Sequence, residues 1–333
     1  MKNSFPIKLA AAVLFSALLI LGLRLASQKP LWNDEIYSQI ASVEGLSYRQ
    51  ILEGNISEGH NTPLFYVIQK IVCAAAGYHA PEEWRKGTRF WGFDRPIDRI
   101  LLRVSPVVVV ALAIVAIFYY FAKFHSWTAG FYSLFISLSG GMLWQYWAEA
   151  RPYALWIFLT TLQLLLFLSI LRNDDSRPAP WRRLAAVHLA LSVTAILSLP
   201  QILIVSVLLG FYKRKDWKAY LLPAFIPAGL CLFYYLSAPH YHFWLQFSVE
   251  QYIRANISRD RLYVLLLYGT ILGVYALQQK VKIFKLPLDG SILAAAPFGV
   301  LLAGMIFSAS VTLFVLKARE MSGESHFPVT EKY

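Results

Sequence analysis

Residues 100–122 read ILLRVSPVVVVALAIVAIFYYFA. The run is 23 residues long and holds one charged side chain, Arg103. About 20 mostly apolar residues are enough for a helix to cross the hydrocarbon core of a bilayer. This stretch sets the class as an all-α polytopic membrane protein, and similar runs extend it along the chain. Ile7–Ala26 follows a basic start, Lys2 and Lys8. Arg24 stands where a cleavable signal needs a small residue, so the run reads as an uncleaved anchor. Further runs are Trp127–Trp147, Tyr153–Leu171, Leu184–Leu199, Ile202–Tyr212, Ala219–Ser237, Leu262–Leu277 and Ser291–Leu316. Pro200 divides a long apolar stretch, because proline disfavours a helical residue before it. Two short helices turning at Ser198-Leu199-Pro200-Gln201 are expected there, for about nine spans in all.

Composition agrees. Of 333 residues, 57% are hydrophobic and 15% charged, and the mean hydropathy is +0.50. A soluble domain carries about 25% charged residues. A disordered chain, a nucleic-acid module and a cytosolic globular enzyme are excluded on these figures. The net charge of +12 reads as positive-inside bias rather than nucleic-acid affinity. Cys73 and Cys231 cannot build a disulfide framework or a zinc site, and Cys231 reads as a core residue.

Loop charge sets the orientation. Arg172–Arg183 and Lys213–Lys218 each carry four basic residues, Lys280–Leu288 carries three, and Lys123 lies in another loop. All fall on one side if the N-terminus is cytoplasmic. Of the 19 acids, only Asp174, Asp175, Asp216 and Asp289 share that side. The chain reads as one membrane domain over 1–333: first span 7–26, extracytoplasmic loop 27–99, spans two to seven over 100–237, second outer loop 238–261, last two spans over 262–316 and an extracytoplasmic tail over 317–333. Loops as long as the two outer ones usually carry function or structure of their own. Within the first, Pro63–Gly77 is apolar but short for a span, and an interfacial helix is expected.

Three outside clusters carry chemistry. The first is Leu31-Trp32-Asn33-Asp34-Glu35-Ile36-Tyr37. Its adjacent acids read either as a solvated pair at a helix start or as a carboxylate able to take a proton from a hydroxyl. The second is Gly59-His60-Asn61-Thr62-Pro63-Leu64. It reads as a helix start, with Thr62 as cap and Pro63 at the first helical position, and His60 is free to bind a phosphate or metal. The third is Tyr146-Trp147-Ala148-Glu149-Ala150-Arg151-Pro152-Tyr153. It reads as interfacial anchors or as a functional acid and base near membrane depth. His240 and His242 read as aromatic interfacial packing. Asn55-Ile56-Ser57 and Asn256-Ile257-Ser258 match the glycosylation pattern, which matters only in a eukaryotic host. No phosphate-binding glycine loop, nucleophile elbow or paired-cysteine motif is present.

The clusters come in a fixed order, with Asp98-Arg99-Ile100-Leu101-Leu102-Arg103-Val104-Ser105 between the second and third. This ordered set resembles the GT-C glycosyltransferases of the protein mannosyltransferase and aminoarabinose transferase type, the glycosyltransferase family 39-like enzymes, over roughly residues 1–215. The resemblance implies a transferase that takes a monosaccharide from a polyprenyl-phosphate carrier, on the extracytoplasmic side, to a hydroxyl on a lipid, protein or cell-envelope glycan. It implies Asp34 as general base and Glu35 as its assistant. Glu149 would be the second acid and Arg151 the adjacent base at the phosphate. His60 and Asn61, before Thr62-Pro63, and Tyr153 would bind substrate or phosphate. Asp34, Glu35, His60 and Glu149 are donors suited to a divalent ion, and nothing in the sequence requires one. The chain departs from the family at Ser198-Leu199-Pro200-Gln201, where relatives carry a Lys or a Thr-His-Tyr-like element and Gln201 is the polar stand-in. The residues Phe327-Pro328-Val329-Thr330-Glu331-Lys332-Tyr333 resemble the start of a further entry into the membrane. A shortened family member or an interrupted gene is the resulting expectation. Two other readings stand beside the enzyme: a lipid-linked sugar transporter and an inactive scaffold. Transporters often show inverted repeats and midplane charges, and apart from Pro200 and boundary arginines none is apparent here.

Overall fold

The computed structural model describes residues 5–56, 62–85, 94–172 and 179–237. The chain divides into two units, Met1–His240 and Tyr241–Tyr333, and everything described belongs to the first. The second outer loop, the last two spans, the basic run Lys280–Leu288, His240, His242 and Asn256 lie outside the described residues, as do His60 and Asn61.

Among the described residues every element is helical. α1 spans Phe5–Gln28, α2 Asn33–Tyr37, α3 Tyr48–Leu52, α4 Pro63–Ala75 and α5 Glu82–Arg85. A single π-helical stretch, Ser38–Glu44, continues α2. α6 covers Pro96–Phe124, α7 Trp127–Ser139, α8 Gly141–Trp147 and α9 Tyr153–Arg172. α10 is Ala179–Ser192, α11 Ser198–Tyr212, α12 Trp217–Leu221 and α13 Phe225–Ser237. Four stretches are long and apolar enough to cross a membrane: α1, α6, α9 and the composite helix Arg214–Ser237, which contains α12 and α13.

α6 is the hub of one core. Its Val107, Val110, Ala111 and Ile114 pack with Leu18 and Ala26 of α1, Trp147 of α8 and Ala154 of α9. Small residues allow these helices to approach closely, as in membrane bundles generally. A Cβ at Gly22 would lie 2.7 Å from Val107 Cγ1 and 2.8 Å from Trp147 Nε1, and one at Gly130 of α7 would lie 2.8 Å from Ala122 Cβ. A second core gathers the segment between α1 and α6 against α9, α10 and α13. It includes Ile36, Ile51, Phe65, Tyr66, Trp84, Leu155, Leu191 and Cys231.

The loop is tied at several points. Glu44 accepts from Ala80 N at 2.7 Å and Arg85 Nη2 at 2.8 Å. Tyr234 Oη of α13 donates to Leu52 O at 3.1 Å, next to Gly54, whose φ of +85° turns the chain out of α3. α4 occupies Pro63–Ala75 with Pro63 at its first turn, as the sequence suggests. Thr62 stands at the cap position without a side-chain cap bond, and its buried hydroxyl has no partner among the described residues. The helix start is served from across the fold instead: Leu64 N donates to Val193 O at 2.7 Å.

Two expected boundaries move. Trp127–Trp147 is two helices rather than one continuous helix, because Gly140 adopts extended backbone, φ −74° and ψ 111°. The break expected at Pro200 falls earlier, at 193–197, and Pro200 lies inside the first turn of α11. Proline is tolerated there, where its missing N–H would have no helical partner. The carbonyl exposed by the earlier break is the one that receives Leu64. The spans also hold a buried ionisable residue that the sequence reading passed over. His188 of α10 is buried, and among the described residues its Nε2 has no hydrogen-bond partner.

Pro106 lies inside α6. It has no N–H to give to the carbonyl four residues back, Leu102. Gln69 of α4 fills the gap: its Nε2 donates to Leu102 O at 2.8 Å, and its Oε1 accepts from Ser105 Oγ at 2.8 Å. One buried amide thus repairs the proline defect and docks α4 on α6. Gln69→Leu should destabilise the fold by about 1–3 kcal/mol, the cost of an unsatisfied buried carbonyl. In a Pro106→Ala background the restored N–H should shrink that loss, measured by thermal unfolding in detergent. An equal loss in both backgrounds would refute the repair.

Candidate active site

The site forms where α1 ends. After Gln28 the chain runs Lys29-Pro30-Leu31-Trp32, with Trp32 extended at φ −82° and ψ 153°, and then enters α2. Two carboxylates hold the released backbone. Asp94 accepts from Leu31 N at 2.9 Å and pairs with Arg99 at 2.6 Å. Glu35, in the first turn of α2, reaches back to Trp32 N at 2.9 Å.

Glu35 and Arg103 form the buried centre. Both side chains have 0% exposure. Arg103 Nε donates to Glu35 Oε1 at 2.8 Å and Nη2 to Oε2 at 2.5 Å. The same guanidinium donates to Ala26 O at 3.1 Å, to Pro30 O at 2.8 Å and to Lys29 O. It therefore caps the carbonyl end of α1, where a cation is favoured. Glu35 Oε1 also accepts from Ala150 N at 2.6 Å. That amide lies between Glu149 and Arg151, so one ion pair fixes α1, α2 and the turn leading into α9.

Asp34 and Glu35 divide into exposed and buried roles. Consecutive helix residues point about 100° apart. Asp34 is half-exposed, its side chain 50% accessible, and Arg151 Nη1 approaches its Oδ2 at 3.9 Å. The Arg151 guanidinium lies 5.7 Å from the centre of the Tyr153 ring, which packs on Tyr146 at 4.8 Å. Arg151 N donates to Glu149 O at 2.8 Å, closing the turn tightly. Glu149 is buried, and desolvation followed by repulsion from Glu35 pushes its carboxyl up, against the pull of Lys29, Arg151 and Arg103. Lys29 Nζ donates to Gln145 O at 3.0 Å and lies 5.5 Å from the Trp32 ring centre. Burial pushes its ammonium down while Glu149 and Glu35 draw it back.

Asp34, Glu149, Arg151 and Tyr153 are thus brought together, and Glu35 lies beneath them with both oxygens engaged. Among the described residues no three His, Cys, Asp or Glu side chains form a metal-ion group. Gln201 is engaged within the bundle, accepting from Trp156 Nε1 at 3.2 Å and donating to Gln163 at 2.5 Å. Arg103 and Lys29 escaped the sequence reading as site residues. Arg103 had a signal, being the lone charge in an apolar run, and such residues are functional candidates. Lys29 had none beyond its place at the end of the first span.

Arg103→Met strands a buried carboxylate and should cost about 3–5 kcal/mol. Adding Glu35→Leu removes the stranded charge and should recover much of that loss. Additive losses in the double variant would mean the two side chains act independently. Glu149 offers a second check. Its raised value means that the folded chain binds the proton more tightly than the unfolded chain. Its contribution to stability is full below the unfolded carboxyl value of about 4.3 and is lost as pH rises through the folded one. Glu149→Gln fixes the neutral form, so its thermal midpoint relative to wild type should climb as pH rises from the unfolded carboxyl value of about 4.3 through the raised folded one. A flat difference would show an ordinary carboxylate. Comparison with protein-family models, curated proteins and solved structures finds no match to this chain.

Proposed function

We propose that the chain is a GT-C-like glycosyltransferase of about nine spans, with a cytoplasmic N-terminus and its active loops on the extracytoplasmic face. It moves a monosaccharide from a polyprenyl-phosphate carrier to a hydroxyl on a lipid, protein or glycan. The observation that carries this reading is the approach of Arg151 to a half-exposed Asp34, 3.9 Å apart, over a saturated buried ion pair.

The chemistry needs two opposite charges side by side. Asp34 takes the proton of the acceptor hydroxyl as its oxygen attacks the anomeric carbon. The bond from that carbon to the phosphate oxygen breaks, and the electron pair leaves with the phosphate. Arg151 stabilises the growing negative charge, since a guanidinium pairs well with phosphate. Glu35 positions Asp34 and the Ala150 amide without touching substrate. Glu149, with its carboxyl pushed towards the neutral form, limits repulsion of the anionic donor. The carrier's tail stays in the bilayer while its phosphate reaches the end of α1.

Asp34→Asn should lower transfer about 100-fold or more in membranes supplied with lipid-phosphate sugars, the usual scale of a lost general base. Arg151→Met should lower it by a similar factor. Equal transfer by wild type and Asp34→Asn would remove the mechanism. Movement of the intact lipid-linked sugar across vesicles, with no new glycosidic bond, would favour a transporter.

A further inference from the structure

Lys29 has a geometry that the proposed reaction has not used. Its backbone is pinned: the N–H donates to Leu25 O at 3.0 Å, and the carbonyl accepts from Arg103. Its side chain is steered by Gln145 O at one end and the Trp32 ring along its flank. Trp32 is 41% exposed, so the ammonium rests on an accessible wall. An ammonium carries three donors, and Gln145 takes one. Among the described residues the site's other cations hold carboxylates, Arg103 on Glu35, Arg99 on Asp94 and Arg151 by Asp34. Lys29 instead donates to a neutral carbonyl and lies over a ring, with the Glu149 and Glu35 carboxylates acting on it at longer range.

We propose that Lys29 recognises the phosphate of the lipid-linked donor and of the lipid phosphate left behind. This rests on the transferase reading and names the cation at its anionic group. Three features support it. Lys29 is the first residue beyond α1, the depth at which a carrier's phosphate leaves the hydrocarbon. Its ammonium is placed before any ligand arrives, because Gln145 O and the Trp32 ring hold it. Its position beside Trp32, two residues from Asp34, lets it hold a phosphate while Arg151 meets the charge on the leaving oxygen. Lysine acts in such sites as a compact point charge.

The test uses the full chain in phosphatidylcholine nanodiscs and measures binding of farnesyl phosphate, farnesol and inorganic phosphate. Wild type should bind farnesyl phosphate at least tenfold more tightly than farnesol, and inorganic phosphate more weakly than either. Lys29→Gln should weaken farnesyl phosphate at least tenfold and leave farnesol unchanged, while Lys29→Arg keeps most of the affinity. Lys29→Met, which keeps an unbranched side chain without the charge, replaces Lys29→Gln should the latter not fold. In the transfer assay Lys29→Gln should raise KM for donor more than it lowers kcat. Binding of farnesyl phosphate by Lys29→Gln within twofold of wild type would overturn the assignment. Equal loss of farnesol and farnesyl phosphate would overturn it too, by showing damage to the site rather than a lost charge. A wild type that binds phosphate through Lys29 yet transfers no sugar supports the phosphate site and removes the transferase reading. Discs containing phosphatidylglycerol separate the sources of phosphate: competition by that lipid alone, with no preference for farnesyl phosphate, would overturn the donor role.

Discussion

Everything near the end of α1 depends on Glu35 and Arg103. Two charges taken out of water cost several kcal/mol each unless their hydrogen-bonding capacity is filled. Here it is filled from both sides. Arg103 gives its donors to Glu35 and to three carbonyls at the end of α1. Glu35 receives the guanidinium and the amides of Trp32 and Ala150. Such a pair adds little net stability compared with well-packed apolar residues. What it imposes is position, because any displacement of α1, α2 or the Glu149–Arg151 turn leaves a buried charge unsatisfied. That penalty converts three segments, distant in sequence, into one rigid frame.

The same accounting of polar groups explains the helix junctions. Pro106 deprives Leu102 of its helical partner, and Gln69 replaces it from α4. The break before α11 exposes Val193 O, and the unsatisfied start of α4 takes it through Leu64 N. Each defect in one helix is the docking point for another. In an apolar bundle the hydrophobic effect does not choose between helix faces, so packing of small residues and paired polar groups decides which surfaces meet. Gly22 against Trp147 and Gly130 against Ala122 supply the first kind of contact, and Gln69 supplies the second.

Much of this was legible in the sequence, and the parts that were not share a cause. Apolar run length and loop charge gave the helical membrane class, the first span and the helix at Pro63. The order of charged clusters pointed to Asp34, Glu149 and Arg151, which lie together. The split of Trp127–Trp147 at Gly140 and the break at 193–197 were passed over because a count of run length goes straight through them, although Ser139-Gly140-Gly141 and Ser192-Val193-Thr194 interrupt the apolar residues. The burial of Glu35 was hidden. Nothing local separates Asp34 from Glu35; the distinction comes from Arg103, 68 residues away along the chain. Lys29 shows the same limit, since its side chain is steered by Gln145, 116 residues away.

The contrast between the adjacent acids carries a chemical consequence. A general base must reach its proton and remain exposed enough to accept it, whereas the group that fixes its position should have no other task. One residue cannot satisfy both demands, because the hydrogen bonds that hold a carboxylate still also reduce its basicity. Two consecutive helix positions separate them: Glu35 points into the protein and is saturated, and Asp34 points outward beside Arg151. An adjacent acid pair at the end of a membrane span is therefore more than a doubled charge when an arginine inside the next span claims one of the two. The buried partner holds the exposed carboxylate in place beside Arg151.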